Sequence, residues 1–360
     1  MPPTPRRPSV AEMQAAYLRG DASYDGVFFL GVRTTGIFCR PSCRARKPLP
    51  RNVAYFGSVR EALFAGFRPC KRCRPLEVPG AHPAWAAELI TRLEREPERR
   101  IRDRDLRAAG VEPARARRYF VQRYGMTFHA FARGVRLRRA FQQLRHGADL
   151  DEVAMSHGFE SHSGFRAAFT RLLGHPPGRS RATDCVTLTW LESPLGPLVA
   201  GATDRGVCLL EFSDRRMLEG QLDGVRRRLG PVLPGPHPLL GQLQGELAQY
   251  FAGTRTAFTV PLEYPGTPFQ VRVWEALLQI PYGDTRSYEQ LAWAVGAPGG
   301  QRAVGRANGQ NRIAIVIPCH RVINKDGRLG GYGGGVWRKQ LLLDLERGEQ
   351  PALALAPATG

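Results

Sequence analysis

The sequence predicts a multidomain α+β protein, because three stretches of its 360 residues differ in composition and in the spacing of their apolar residues. Residues 1–78 are rich in arginine, phenylalanine and cysteine, with only short apolar runs. Residues 85–182 place apolar side chains at helical spacing, and from residue 186 strand-like and helix-like patterns follow one another. We therefore expect a small cysteine-rich α/β domain, an all-α domain and a larger α+β region.

Charge and cysteine content narrow the class of protein. The formal net charge is +20, and most of the excess lies in the first half of the chain, which favours a polyanionic partner such as nucleic acid. The start, MPPTPRRPSV, has no apolar signal region, and no run approaches the roughly 18 apolar residues of a membrane span. We expect a cytoplasmic protein without a membrane partner, whose seven cysteines serve metal binding or thiol chemistry rather than disulfides.

Breaker residues and apolar patterns predict the element order. Pro79, Gly80 and Pro83 mark a first linker, and GHPPGRSRATD ends the helical block. Beyond it, VTLTWLESPLGPLVAGATDRGVCLLEFSD predicts two or three strands, and LGQLQGELAQYFAG, FQVRVWEALLQI and SYEQLAWAV predict helices. We expect IAIVIP to form a short buried strand that leads into Cys319.

Four cysteines in the first block have the spacing of a metal site. Cys39 and Cys43 form C-x3-C, Cys70 and Cys73 form C-x2-C, and two such close pairs suit tetrahedral Zn²⁺. Zinc keeps its thiols deprotonated, so each sulfur is both a ligand and a potential nucleophile. A Zn(Cys)4 centre is anionic, so alkylation of one sulfur would reduce its repulsion of DNA phosphate. The spacing alone leaves open whether the zinc is only structural.

The stretches VRTTGIFCRPSCRAR and RPCKRC resemble the amino-terminal domain of the Ada family of bacterial adaptive-response regulators. The resemblance implies that Cys39 accepts a methyl group from a DNA methylphosphotriester while it stays bound to one zinc ion, which is then both structural and nucleophile-activating. It also suggests phosphate contacts from basic and hydroxyl side chains near the cysteines. These are Thr34, Thr35, Arg46, Arg68 and Arg72.

The segment DLDEVAMSHGFESHSGFRAAFTRLLGHPP has the pattern of a helix-turn-helix, with Gly158 at the turn. Side chains early in the second helix would face the DNA major groove, so His162, Ser163 and Arg166 are candidates. The segment resembles the AraC/XylS type, which carries two such units. The upstream unit would span roughly 103–120, with Arg115, Arg117 and Arg118 as groove or phosphate candidates. A helical bundle without a DNA role is the alternative.

The motif PCHR predicts a reactive thiol. Pro318 stiffens the turn that presents Cys319, and the adjacent His320 could deprotonate the thiol through one water if a carboxylate fixed its tautomer. Such a thiolate suits attack on an alkyl carbon, and because the thioether product has no evident route of cleavage, we expect one turnover per molecule. The other cysteines, Cys185 and Cys208, we interpret as a linker residue and a buried apolar residue.

Residues 186–347 resemble the O6-alkylguanine-DNA alkyltransferases, since FQVRVWEALLQIPYGDTRSYEQLA, QRAVGRANGQN, IPCHRVI and GRLGGYGGGVWRKQLLLDLE follow the family order. The resemblance implies a ribonuclease-H-like sheet subdomain followed by a winged-helix-like helical subdomain. It implies base flipping, which gives access to an O6 substituent that otherwise lies inside the duplex. Its residue roles are the alkyl acceptor Cys319, the base His320, its orienting partner Glu346, the turn-binding Asn311, the base-rotating Tyr288, the stack-filling Arg302, and the pocket residues Arg321 and Tyr332.

In this pattern the glycines from Gly330 to Gly335 would form a flexible pocket wall, and Ser287 to Asn308 would form a further helix-turn-helix. The expected domains are a zinc-bound α/β domain, a double helix-turn-helix domain, and the two alkyltransferase subdomains. Their boundaries are 1–78, 85–182, 186–265 and 266–350.

The resemblances together imply repair of O6-methylguanine and O4-methylthymine by irreversible transfer to Cys319, and a methylation signal at Cys39 that activates alkylation-response genes. The expected partners are double-stranded DNA and RNA polymerase, for a monomer associated with the nucleoid. Two alternatives stay open at this point. One is a repair protein without a transcriptional role, and the other is a zinc transcription factor whose second half binds lesions inertly.

Overall fold

The computed structural model describes residues 8–76, 83–96, 98–124, 126–159, 161–173, 176–178, 184–215 and 217–349. The linker residues Pro79 and Gly80 and most of GHPPGRSRATD lie outside this part of the chain. Within it, no helix combines the length and the apolar character that crossing a membrane requires.

The first part is a small α/β unit. Its opening helix is capped by Ser9, whose side chain accepts from the Glu12 N–H, and it ends at Gly20 in the left-handed conformation. The described strands pair in the order β3-β1-β2-β4, antiparallel except for β2 with β4. The elements are α1 (Val10–Arg19), β1 (Phe29–Val32), β2 (Ile37–Cys39), β3 (Val53–Phe56), α2 (Val59–Phe64) and β4 (Arg68–Pro69).

The middle part is helical, as the sequence predicts. Its longest helix starts at the N-cap Thr127 and separates two clusters of buried apolar residues, one centred on Phe120 and one on Phe141, Phe165 and Phe169. Gly158 follows the first helix of the downstream pair with φ 67°, the conformation expected of it. The helices are α3 (Ala84–Arg95), α4 (Asp103–Ala108), α5 (Pro113–Tyr124), α6 (Phe128–Arg145), α7 (Leu150–Ser156) and α8 (His162–Leu173).

The third part begins with a sheet of described order β7-β6-β5-β8, in which three antiparallel strands form a meander and the last strand is parallel to β5. Cys208 is buried in the third strand, beneath a helix that covers one face. The elements are β5 (Val186–Leu191), β6 (Leu198–Ala202), β7 (Val207–Phe212), α9 (Leu218–Leu229), β8 (Val232–Pro234) and α10 (Pro238–Phe251).

The last part is mostly helical, with a parallel pair of two-residue strands. The prediction that IAIVIP forms a strand is wrong. Residues 313–318 are buried but form turns, because Ile315 has a positive φ of 72° and only Ile313 bridges to a strand, at Leu210. The elements are α11 (Pro268–Leu278), β9 (Arg286–Ser287), α12 (Tyr288–Ala294), α13 (Gln301–Gly309), β10 (Val322–Ile323) and α14 (Val336–Glu346).

The first and last parts share one hydrophobic core, which the sequence did not predict. Tyr24 and Phe28 are buried in the same cluster as Trp337, and the rings of Tyr24 and Trp337 lie 5.4 Å apart. A Cβ on Gly335 would lie 2.5 Å from the Ser23 side chain, so the two backbones meet closely. The middle part packs on the sheet, where Arg138 Nε donates to Thr187 Oγ1 at 2.9 Å.

Candidate active site and metal centre

Sheet register brings the first cysteine pair to the second. Phe38 on β2 is the parallel partner of Pro69 on β4, so Cys39 and Cys70, the next residues along, lie side by side. Cys43 and Cys73 complete the group, and the four Sγ atoms all lie within 4.8 Å of one another. Tetrahedral zinc with Zn–S bonds of about 2.3 Å needs four thiols at this kind of separation, so the residues present fit the ion.

Hydrogen bonds fix the loop that carries this cluster. The Arg40 N–H donates to Cys73 Sγ at 3.4 Å, which stabilises a thiolate. Ser42, next to Cys43, donates from its N–H and its hydroxyl to the half-buried carboxylate of Asp25, at 3.1 and 2.5 Å. Burial raises the pKa of Asp25 and these hydrogen bonds oppose the shift. The zinc loop is therefore tied to the segment that packs against Trp337.

The side chains predicted to contact phosphate surround the cluster on the surface. Arg72 Nη1 donates to the Arg44 carbonyl at 3.3 Å, and Thr35 Oγ1 to the Val32 carbonyl at 3.4 Å, so these two are oriented by the backbone. All five predicted residues are exposed, and they are Thr34, Thr35, Arg46, Arg68 and Arg72.

The second centre is a single buried cysteine. Cys319 is 6% exposed, and it opens a short 3-10 turn that follows Pro318. Asn311 holds the preceding loop, because its Nδ2 donates to the Ile317 carbonyl and its Oδ1 accepts from the Ile313 N–H, both at 2.9 Å. This amide replaces the hydrogen bonds that a strand would have made.

A buried carboxylate organises the residues after the cysteine. His320 Nε2 lies 2.8 Å from Glu346 Oε1, and Arg321 donates to both carboxylate oxygens at 2.7 and 2.9 Å. Tyr250, which the sequence analysis did not single out, donates to Glu346 Oε1 at 2.7 Å. Burial raises the pKa of Glu346, but the charges and hydrogen bonds of His320 and Arg321 outweigh burial and leave it well below its usual range.

The thiol and the imidazole are both held neutral. Burial raises the pKa of Cys319, opposed by a hydrogen bond from Asn311 and by the charges of Arg215 and Lys339. Burial also lowers the pKa of His320, although Glu346 opposes this. The His320 Nδ1 atom is buried and has no hydrogen-bond partner in the described part of the chain. It is therefore available to accept a proton.

Two cationic residues near Cys319 were missed by the sequence analysis. Lys339 is fully buried and donates to the Val322 carbonyl at 2.5 Å, and burial lowers its pKa to about 8. Arg215 forms a buried ion pair with Glu211 and donates to the carbonyls of Gly309 and Asn311 at 2.6 and 3.3 Å. The sequence signal for Lys339 is its position beside the leucines of WRKQLLLDLE.

The glycine-rich segment is closely packed in part, but it is open at Gly331, which is exposed and whose added Cβ would meet no described atom within 4 Å. A Cβ on Gly334 would lie 2.5 Å from the Phe212 ring, and one on Gly333 would lie 2.5 Å from the Arg215 guanidinium. Tyr332 has a buried hydroxyl without a hydrogen-bond partner among the described residues. Burial raises the pKa of Tyr332 well above its usual value, and that of Tyr288, the first residue of α12, is raised by the same cause.

The remaining predicted DNA contacts differ in exposure. Arg302, near the start of α13, is exposed, as are Ser163 and Arg166 on α8. His162 pairs with Asp151 at 2.9 Å across the turn. The predicted pocket residue Arg321 is not available on the surface for DNA, because its guanidinium is buried against Glu346 and the Ile280 carbonyl.

The upstream helix-turn-helix corresponds to α4 and α5, where three predicted arginines are exposed. Arg115 lies over the Trp85 ring at 5.0 Å, so part of its surface is covered. The other two are Arg117 and Arg118.

Family comparisons agree with this division of the chain. Four domain families match it, and two of them are the ribonuclease-like and DNA-binding domains of 6-O-methylguanine DNA methyltransferase, which is the class that the sheet, the helices and Cys319 define. The other two are the metal binding domain of Ada and a helix-turn-helix domain. The matched residues are 12–76 (metal binding), 106–183 (helix-turn-helix), 186–264 (ribonuclease-like) and 268–348 (DNA binding).

Individual relatives identify the family of the chain more narrowly. It is 36% identical over 335 residues to the "Bifunctional transcriptional activator/DNA repair enzyme Ada" of Escherichia coli K12, covering 91% of this chain and 94% of that protein. It is 49% identical over 162 residues to the "Methylated-DNA--protein-cysteine methyltransferase" of Mycobacterium tuberculosis, covering 45% of this chain and 93% of that protein. The chain belongs to the Ada family, and its four-cysteine cluster is the zinc site of that family's metal binding domain.

Proposed function

We propose that the chain repairs alkylated DNA by direct reversal and converts the damage into a transcriptional signal. The observation that carries the proposal is the pairing, in one chain, of two different cysteine centres. One is the buried Cys319 beside the His320–Glu346 pair, and the other is Cys39 in the four-thiol cluster. The Escherichia coli relative, whose name states both activities, supports the pairing.

At Cys319 the proposed substrate is O6-methylguanine, with O4-methylthymine as a second. The thiol proton passes through one water to His320 Nδ1, whose other nitrogen is held by Glu346. The sulfur attacks the methyl carbon, the carbon–oxygen bond breaks, and its electrons stay with the base, which takes up one proton. The products are S-methylcysteine and the unmethylated base, so each molecule acts once.

The proposed roles around this step follow the placement of each side chain. Tyr288 crowds the phosphate 3′ of the lesion and helps to rotate the base, and Arg302 fills the gap that the base leaves in the stack. Asn311 holds the loop before the cysteine, and the buried Arg321 shapes the pocket through Glu346. Tyr332, whose hydroxyl has no hydrogen-bond partner among the described residues, offers it to the extruded base.

At the other centre, zinc supplies a deprotonated thiolate at neutral pH. Cys39 takes the methyl group of a DNA methylphosphotriester, with Thr34, Thr35, Arg46, Arg68 and Arg72 as phosphate contacts. The methylated sulfur carries no negative charge, so the domain repels DNA less. The domain and the helix-turn-helix region then bind promoters of alkylation-response genes, where α8 presents His162, Ser163 and Arg166 to the major groove.

RNA polymerase is the proposed partner at those promoters, for a monomer that acts on the nucleoid in the cytoplasm. The proposed domain boundaries are 1–78, 85–182, 186–265 and 266–350.

The test is mass mapping of methylated cysteines after the chain has been incubated separately with duplexes that carry O6-methylguanine or methylphosphotriesters. We expect one added methyl on the Cys319 peptide with the first duplex and one on the Cys39 peptide with the second. An unchanged Cys319 peptide would instead support a transcription factor whose second half binds lesions inertly. A reporter that stays silent after methylating treatment, and is equally silent in Cys39→Ala, would support a repair protein without a transcriptional role.

A further inference from the structure

The helical part contains a cationic cleft that the proposed reactions do not use. It has a volume of about 440 Å³ and lies between α6, α8 and the residues that precede α4. Four arginines and one histidine line it, and no aspartate or glutamate is among its lining residues in the described part of the chain. The arginines are Arg100, Arg133, Arg136 and Arg171, and the histidine is His129, whose Nε2 lies 2.7 Å from Asp103 Oδ1.

Arg136 is the unusual member of this set. It is 8% exposed, and its Nε and Nη1 atoms have no hydrogen-bond partner in the described part of the chain. The guanidinium of Arg136 lies over the face of Phe159, with its central carbon 5.4 Å from the ring centroid. Burial lowers the pKa of Arg136, and the charges of Arg100 and Arg133 lower it further.

An arginine in a protein stays protonated even under these conditions. A buried charge without a counter-ion destabilises the fold, and natural proteins place such charges where a ligand or partner neutralises them. Two neighbouring arginines raise this cost. The arrangement is thus explained by an anion that enters the cleft.

The shape of the cleft indicates which kind of anion. Besides Arg171, the α8 surface that lines it has only the small residues Gly164, Ala167 and Ala168, which allow a chain of atoms to approach closely. The adjacent face of α8 carries the exposed Ser163 and Arg166. A DNA strand beside that face would bring its backbone to the mouth of the cleft.

We propose that this cleft binds a phosphate group through the Arg136 guanidinium, and that in the protein–DNA complex this group belongs to the DNA backbone. The DNA source rests on the proposed promoter-reading function, whereas binding of a phosphate group does not. The contact fixes the position of α8 on the duplex and carries no base preference of its own.

The test compares Arg136→Met with Arg139→Met, an exposed arginine on the same helix that does not line the cleft. Arg136→Met should unfold at the same temperature as the wild type or higher, since it removes an unpaired buried charge. It should nevertheless bind DNA about tenfold more weakly, the usual effect of losing one charge-assisted hydrogen bond. A purely structural arginine would show the opposite, with stability lost and intrinsic affinity kept.

The probe is a duplex selected from a random pool of about 30 base pairs, long enough for two half-sites. The selecting protein is the full, zinc-bound chain that has first been methylated at Cys39 with methylphosphotriester DNA. Single phosphates are then replaced by neutral methylphosphonates. At one or two adjacent positions the replacement should weaken binding of the wild type and of Arg139→Met about tenfold, yet hardly affect Arg136→Met. A second arm measures melting temperature in inorganic phosphate against sodium chloride of equal ionic strength, and phosphate should stabilise only the proteins that keep Arg136.

An effect that requires Arg136, in either experiment, supports the cleft as a phosphate site. An effect of methylphosphonate replacement identifies DNA as the source of the phosphate, and an effect of inorganic phosphate alone identifies the free ion. The proposal would be overturned if two results came together. One is that Arg136→Met and methylphosphonate replacement weaken binding independently at every phosphate position, and the other is that phosphate stabilises all three proteins equally. If no duplex is enriched from the pool, the promoter-reading function fails, and the inorganic phosphate arm still decides on the cleft.

Discussion

The two cysteine centres prepare a thiol for methyl transfer in opposite ways. Around Cys39 three other thiols converge within 4.8 Å, so a metal ion can hold the sulfur deprotonated without help from a base. Cys319 is a single cysteine whose burial favours the neutral thiol, and a histidine, a carboxylate and two cations lie near it. The first centre depends on its ligands, and the second depends on the surrounding fold.

The largest expected effect separates the two centres completely. Cys319→Ser should abolish transfer from O6-methylguanine, since a neutral hydroxyl is a far weaker nucleophile than a thiolate. Transfer to Cys39 should continue at the wild-type rate. Peptide masses after exposure to each methylated duplex measure both, with Cys185→Ser as the control. Loss of both transfers in Cys319→Ser would show that the centres do not act separately.

The reciprocal change removes a ligand and leaves the acceptor in place. In Cys43→Ser, we expect zinc content well below one ion per chain and no methyl on the Cys39 peptide, because the remaining thiols no longer form a complete tetrahedral site. Metal analysis and the same peptide masses report the outcome. Loss of transfer to Cys319 in this variant, while the protein is still folded, would contradict the separation of the two centres.

The buried network should respond to the loss of one charge. Glu346→Gln leaves Arg321 uncompensated, so we expect the free energy of unfolding to fall by about 3 kcal/mol and transfer to Cys319 to slow by at least about tenfold. Glu289→Gln, which removes the exposed partner of Lys325, is the control and should cost less than about 1 kcal/mol. Denaturant unfolding and single-turnover kinetics measure the two effects. Equal losses in both variants would argue against a special role for Glu346.

The Glu346 carboxylate should also make the folded protein less stable as the pH falls. The pKa of Glu346 is lower in the folded chain than its usual value, so the unfolded chain binds the extra proton first as the pH falls. Its contribution is fully present above about pH 4.5, the usual range of a glutamate, and decreases below it. Wild type and Glu346→Gln should therefore converge in stability in acid, and a constant difference down to pH 2 would contradict this.

The two centres should also differ in how their transfer rates depend on pH. Burial raises the pKa of Cys319, so the thiolate fraction, and with it the rate, should rise from pH 6 to 8, by no more than about tenfold per unit. Above the lysine pKa of about 8, the rise should flatten as Lys339 loses its charge. Transfer to zinc-bound Cys39 should change little over the same range. Rapid-quench rates at each centre provide the measurement, and a Cys319 rate that peaks below pH 7 would contradict it.

The sequence predicted what is encoded locally. The zinc ligands lie in two short motifs, and the helix-turn-helix pairs and strands have clear periods, so these predictions are confirmed. The buried strand before Cys319 was wrong, because an apolar run alone does not distinguish a strand from turns held by Asn311. Tyr250 was missed because it lies in an ordinary amphipathic helix, 96 residues from the Glu346 that it contacts.

Contacts between residues far apart in the sequence could not be predicted from local patterns either. Nothing near Tyr24 or Trp337 in the sequence indicates that their rings meet. The cleft around Arg136 could not be predicted from the sequence, since nothing distinguishes this arginine from the exposed arginines of the same helix.

The contact between Tyr24, Phe28 and Trp337 matters for anyone who dissects the protein into pieces. Tyr24 and Trp337 are 2% and 3% exposed in the intact chain, and Phe28 is fully buried. A truncation that separates the zinc part from the alkyltransferase part would expose these three aromatic rings to water. Each fragment would then carry a new hydrophobic patch that promotes aggregation. Isolated fragments therefore need polar substitutions at these positions before their behaviour can be taken to represent the whole.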